Sequence, residues 1–218
     1  MLSDPPNGRS FRLLLLEWAT AACEDWGYPP VDEAWFDNVE RRLPPGLRAL
    51  VADGVELGTV EVLGYRFRPV DLPATKGPYA FLSRAEATER PNPNWEYFVQ
   101  LAEYLRVRDA VAHHGLTVSF EDSLMDVSVR RGSDLLWAIE VKEKARQLRE
   151  LLVQLQDHGS GVDLDAPDRG NDPLRKAKYL ATHRPPYFSL VAIGERREFS
   201  VAYTTDGFHL QEDLVPYA

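Results

Sequence analysis

The stretch LMDVSVRRGSDLLWAIEVKEK, residues 124–144, decides how this chain folds. Apolar and polar residues alternate on both sides of Gly132-Ser133, which is the pattern of a β-hairpin. The polar positions carry Asp126 in one strand and Glu140 and Lys142 in the other. Side chains two apart on a strand share a face, so Glu140 and Lys142 project together, with Val141 opposite. The direction of Asp126 depends on register. A two-residue loop at Gly132-Ser133 sets Asp126 against Ile139 and splits the acids between the faces. A three-residue loop, Arg131-Gly132-Ser133, sets Asp126 against Ala138 and puts all three charges on one face. Only that loop also gathers Met125, Val127, Val129, Leu135, Trp137, Ile139 and Val141 on a single apolar face. Register is strongly specified where one face is buried, and three-residue loops with a glycine are common. The shared face is therefore expected. Its plain reading is the wet side of a sheet, but Leu124, Leu136 and Ala138 on the same face point to partial cover.

Outward from this hairpin, the elements follow from periodicity and punctuation. Upstream, LTVSFED (116–122) reads as a strand, and WEYFVQLAEYLRVRDAVAHH before it as a helix ended by Gly115. Downstream, KARQLRELLVQLQDHG (144–159) is an amphipathic helix with Leu148, Leu151, Leu152 and Leu155 inward. A polar loop (159–172), a helix PLRKAKYLATH and an apolar strand YFSLVAIG follow, then two short strands around Asp206-Gly207. The apolar run at 187–194 suggests a strand covered on both faces. The N-terminal part starts with a loose lead-in (1–8). It continues with helices over about 11–22, 32–42 and up to Ala52, Gly54 lying beyond the last, and a hairpin over 55–70 around Gly64. Residues 71–94, with five prolines and glycines, read as a loop between lobes. The expected architecture is α/β or α+β, a mixed sheet flanked by helices. An N-terminal helical and hairpin lobe spans 1–90 and a core spans 91–218.

The bulk composition narrows the function classes. A net charge of −9 argues against coating nucleic acid by bulk charge, though not against a local basic groove. With Cys23 alone, neither an intrachain disulfide nor a cysteine-based metal site is expected, which suits a reducing cytoplasm. The aliphatic run Leu13–Leu16 is too short for a signal peptide or a membrane span. No phosphate-binding glycine loop or nucleophile-elbow motif is present. Adjacent His113 and His114 do not converge as ligands, and Trp18, Trp26, Trp35 and Phe36 read as core.

The motif MD (125–126) followed by EVK (140–142), in the order helix, strand, hairpin, helix, strand over roughly 94–194, resembles the PD-(D/E)xK nuclease superfamily. Met125 stands where the name-giving proline would sit. The resemblance implies a restriction-endonuclease-like core that hydrolyses phosphodiesters, usually of DNA, with Mg²⁺ or Mn²⁺ in its place. It implies Asp126, Glu140 and the Val141 carbonyl as metal ligands, oxygen donors that suit such an ion. Lys142 would then orient the attacking water or stabilise charge on the phosphate. Two carboxylates without their cation repel each other, so the empty site is expected to be destabilising.

By the same resemblance a glutamate of the preceding helix joins the metal. Glu103 is preferred over Glu96, against the alternative of a solvated helix face. Gln154, twelve residues after Lys142, is expected beside the site on the following helix. Glu121 and Asp122 either crowd the site or form a plain turn. Lys144, Arg146, Arg149, Arg169, Arg175, Lys176 and Lys178 are candidates for phosphate contacts, or simply solvated charge. The partner is expected to be nucleic acid, with no membrane. A homodimer, or a separate motor or defence protein, could use the N-terminal lobe. The rival expectation is a non-catalytic adaptor with a nuclease-like fold.

Overall fold

The computed structural model describes residues 10–73, 75–168 and 173–217. The chain forms two compact units, one up to Leu105 and one from Arg106 onward. In the first unit, α1 (Phe11–Trp26) begins where Ser10 Oγ accepts from Leu13 N–H, and it ends at Gly27 with φ +68°. Asp32 caps α2 (Glu33–Arg42) in the same way, through Trp35 N–H. Helix α3 (Pro45–Glu56) carries proline in its first turn. It runs past Ala52, the expected end, because Gly54 is a packing glycine and not a stop. A Cβ there would fall 2.5 Å from the Leu105 side chain.

The hairpin therefore starts later than expected, as β1 (Val60–Leu63) and β2 (Arg66–Pro69) around Gly64, φ +64°. The proline-rich stretch expected as loop holds β3 (Tyr79–Ala80), which pairs with β2, and the hairpin β4 (Leu82–Ala85) and β5 (Arg90–Pro93). These strands are too short to show a period, and Pro91 and Pro93 fit only because β5 is an edge strand. Trp18, Phe67, Phe81 and Phe98 form the core, with Trp18 and Phe67 each stacked 4.2 Å from Phe81. Trp35 and Phe36 are buried too, and Trp26 is half-buried.

Helix α4 (Trp95–Val111) runs through the division between the units. The second unit is built on a six-stranded sheet. In chain order its strands are β6 (Thr117–Asp122), β7 (Met125–Arg131), β8 (Asp134–Lys142), β9 (Tyr187–Ala192), β10 (Glu195–Tyr203) and β11 (Phe208–Glu212). They lie in the order β11-β10-β9-β8-β7-β6, and only β8 and β9 run parallel. A parallel pair needs a crossover, supplied here by α5 (Ala145–Gly159) and α6 (Pro173–His183). The mixed sheet with flanking helices is as the sequence indicates, with six helices among the described residues.

One face of the sheet is sealed by the α5 stripe Leu148, Leu151, Leu152 and Leu155 with Ala177 and Leu180 of α6. These pack on Ala138, Phe188, Leu190 and Phe199. Strand β9 is buried from Phe188 to Ala192, as its apolar run requires. Among the described residues no helix is long and apolar enough to cross a membrane.

The C-terminal end of α5 meets the β10–β11 turn backbone to backbone, with Val162 N–H donating to Asp206 O at 2.8 Å. A Cβ on Gly207 would fall 2.1 Å from Gly159 O. Gly207→Ala is expected to lower stability by about 1–3 kcal/mol through overpacking. A urea-unfolding midpoint equal to that of the wild type would show that the turn can yield.

Candidate active site

The 124–144 hairpin forms with a two-residue loop, Arg131 pairing with Asp134 and Arg130 with Leu135. This corrects the expected three-residue loop. Gly132 takes φ +60° in the turn, which glycine accepts without a Cβ clash. Such a loop alone would put Asp126 and Glu140 on opposite faces. A β-bulge between Val129 and Arg130 reverses that outcome. Past it, Val129 pairs with Trp137, Ser128 with Ala138 and Val127 with Ile139, so Leu136 is an extra residue in β8. Continued one step further, this register brings Asp126 level with Glu140 rather than Ala138.

The bulge also sorts the apolar residues. Val127, Val129, Trp137, Ile139 and Val141 share one fully buried face. Leu135 and Met125 join the α5–α6 side instead, a second correction. Met125 changes sides beside a β6–β7 turn in which Glu121 and Ser123 have φ of +52° and +61°.

The face carrying the charges is not wet. Ser128 and Ala138 are wholly buried under the crossover helices, and Glu140 is 1% exposed. The ladder between β7 and β8 ends at Val127 and Ile139, whereas β8 stays paired with β9 as far as Lys142. The two strands part at this point, and Asp126 bridges the opening. Its Oδ2 accepts the Val141 N–H at 2.6 Å.

Two ammonium groups hold the Glu140 carboxylate. Lys142 Nζ lies 2.7 Å from Oε1 and also donates to Val141 O at 2.7 Å. Lys176 Nζ lies 2.7 Å from Oε2 and donates to Leu124 O at 3.2 Å. Burial, and then the Glu140 carboxylate, push the Asp126 pKa well above its usual value; Lys142, the Val141 N–H and Lys176 pull the other way without cancelling this.

The other expected residues are placed as follows. Glu103 sits on α4 within the first unit and is 5% exposed; Gln100 of the same helix is 1% exposed. Gln154 is exposed on α5, outside the inward leucine stripe. Asp122 does not crowd Asp126. It accepts from Ser128 Oγ at 2.6 Å and pairs with Arg130 at 3.0 Å, and Arg130 reaches Tyr179 Oη at 3.3 Å. Most of the basic cluster is bound to acids: Lys144 to Glu143, Arg146 to Glu150, Arg149 to Glu195, and both Arg175 and Lys178 to Asp168. Arg169 lies outside the described residues.

Lys176, expected only as one member of a basic cluster that could contact phosphates, instead pairs with Glu140. On a helix whose Ala177 and Leu180 face the core, its neighbouring position is drawn toward the sheet. Nothing local in the sequence separates it from the other lysines nearby. Among the described residues no group of three or more His, Cys, Asp or Glu side chains could hold a metal ion. No family model matches this chain, and neither does any curated protein or solved structure.

A carboxyl group with a raised pKa weakens the fold as pH rises. Both states are protonated below the unfolded value near 3.8; above it the unfolded chain ionises while the native Asp126 resists. Asp126→Asn should therefore raise the melting temperature at about pH 8, with the gain vanishing toward about pH 4. A lower melting temperature for the variant at the higher pH would mean that the Asp126 charge is compensated.

Proposed function

We propose that this chain is a metal-dependent nuclease that hydrolyses phosphodiester bonds, in DNA rather than RNA. The observation carrying this reading is the bulge-restored register. It sets Asp126, Glu140 and Lys142 together where β7 and β8 part. The donor set suits Mg²⁺ or Mn²⁺, because the Asp126 carboxyl, Glu140 Oε1 and the Val141 carbonyl are all hard oxygens. A cation already fits between two of them, since the Lys142 ammonium touches Glu140 Oε1 and Val141 O at once. A bound Mg²⁺ would supply Lewis acidity at the scissile phosphate.

The chain's own groups do the rest. The Val141 N–H fixes the Asp126 carboxyl, and Lys176 fixes Glu140 from the other side. Lys142, once released from Glu140, turns its ammonium to the phosphoryl oxygens and stabilises the charge that builds there. The two covering helices keep bulk water from the carboxylates, which strengthens each of these interactions. Gln154 is retained as an assisting group by resemblance, and the N-terminal unit as the part that recognises substrate or partner.

One observation favours a different reading, a non-catalytic module. Both Glu140 oxygens are matched by ammonium groups, and no three-residue ligand cluster exists among the described residues.

The deciding test is cleavage of duplex, single-stranded and branched DNA, and of RNA, with Mg²⁺ or Mn²⁺. Glu140→Gln and Lys142→Met should each reduce the rate by roughly two to three orders of magnitude, and EDTA should abolish it. Equal rates in folded wild type and variants, or no cleavage of any substrate, would favour the non-catalytic module.

A further inference from the structure

We infer that the N-terminal unit binds single-stranded nucleic acid on a row of aromatic rings closed at each end by an arginine, in the order Arg84, Tyr28, Trp26, Tyr65, Arg66. The choice of nucleic acid as the ligand rests on the nuclease reading; the row itself does not.

Trp26 is the last residue of α1 and is only half-buried. Gly27, at φ +68°, then turns the chain, and the Tyr28 N–H is tied back to Cys23 O at 2.9 Å. The turn sets Tyr28 beside Trp26, with ring centroids 5.8 Å apart. Tyr65, between β1 and β2, also meets Trp26, at 4.8 Å. Both contacts are edge-to-face, unlike the parallel stacks of Trp18, Phe67 and Phe98 on Phe81 that fill the core.

The two end residues are exposed arginines, and each is held by a tyrosine. The Arg84 guanidinium lies 5.8 Å from the Tyr28 ring centre, and its Nε donates to Tyr28 Oη at 3.4 Å. Arg66 lies 5.2 Å from the Tyr65 ring centre and donates to Tyr65 Oη at 3.2 Å. Neither forms an ion pair among the described residues, whereas Arg12, Arg48, Arg68 and Arg90 of the same unit each hold a carboxylate. The acids whose fields reach Arg84 are Glu86 and Asp25, and Asp25 accepts from Tyr65 Oη at 2.7 Å. With these acids close by, stacking and directed phosphate contacts must carry the affinity, not bulk charge.

This combination selects a ligand. Aromatic surfaces attract quaternary ammonium groups and arginines, but the guanidiniums already against Tyr28 and Tyr65 repel such cations. What fits is a flat ring to lie on the aromatics, with anions alongside for the arginines, and a nucleotide with its phosphates supplies both. Every base has a face to stack, so the row does not read sequence. In a duplex those faces are taken by neighbouring bases, and freeing one has an energetic cost, so the row takes unpaired strands.

The test is binding of the full chain, in EDTA, to a fluorescein-labelled oligothymidylate and to a duplex of the same length, read by anisotropy. The single strand should bind more tightly. Trp26→Leu should weaken that complex roughly tenfold, through the loss of one stacked base. Arg66→Gln combined with Arg84→Gln should lower the slope of log affinity against log salt by about 1.4, as two phosphates of a single strand are released. Lysine at both positions should restore the slope. Both arginines are exposed, so their variants decide the matter even if Trp26→Leu does not fold.

Unchanged affinity and slope in the folded variants, equal binding of single strand and duplex, or binding of a proline-rich peptide in place of any nucleic acid would overturn the inference. Nuclease activity is read apart from this. A chain that binds through the row and cleaves nothing refutes only the nuclease reading. One that cleaves, with binding unchanged in the row variants, refutes only the inference.

Discussion

A single extra residue in β8 decides which side chains of this sheet share a face. A strand's side chains alternate with period two, so each one-residue slip exchanges the faces of everything beyond it. The two-residue loop at Gly132-Ser133 would by itself send Asp126 and Glu140 to opposite sides. The bulge between Val129 and Arg130 inserts Leu136 and restores the parity. It also advances the register, so that Asp126 comes level with Glu140 where the strands separate. Bulges re-aim side chains at functional positions, and this one acts on the two acids and leaves Val127, Val129, Trp137, Ile139 and Val141 packed together.

Placing those acids beneath α5 and α6 has an energetic consequence. Glu140 is almost wholly removed from water, and its two ammonium partners offset that burial. A buried ion pair of this kind contributes little net stability compared with an apolar core of equal volume. Asp126 adds to the cost, because burial and a like-charged neighbour both oppose its ionisation. A fold selected for stability alone would have filled this space with leucine. A polar cluster held against such a cost, at a gap in a sheet, is where perturbed groups and function tend to coincide.

Much of this was legible in the sequence, and the rest was hidden for identifiable reasons. Leu148, Leu151, Leu152 and Leu155 mark α5 by helical spacing, and Phe188 to Ala192 mark a strand buried on both sides. The shared face of Asp126, Glu140 and Lys142 was legible from parity, but the loop that achieves it was not. A three-residue loop, and a two-residue loop with a bulge, put the same residues on the same side. Partial cover of that face was expected from Leu124, Leu136 and Ala138, but not its depth, because Asp, Glu and Lys on a strand look like its wet side until the covering helices are placed. Lys176 was indistinct because its pairing with Glu140 spans 36 residues and depends on how α6 lies over β7. The β3, β4 and β5 strands were missed because runs of two to four residues interrupted by proline show no period.

The proposed site brings Asp126 and Glu140 onto one cation at the opening between β7 and β8. Diffraction from crystals grown with Mn²⁺, collected at a wavelength where manganese scatters anomalously, tests it most directly. One anomalous peak is expected within coordination distance of Asp126, Glu140 Oε1 and the Val141 carbonyl, with Lys142 displaced from Glu140. An ordered site with no peak, or a hairpin without the bulge and its two acids on opposite faces, would contradict it.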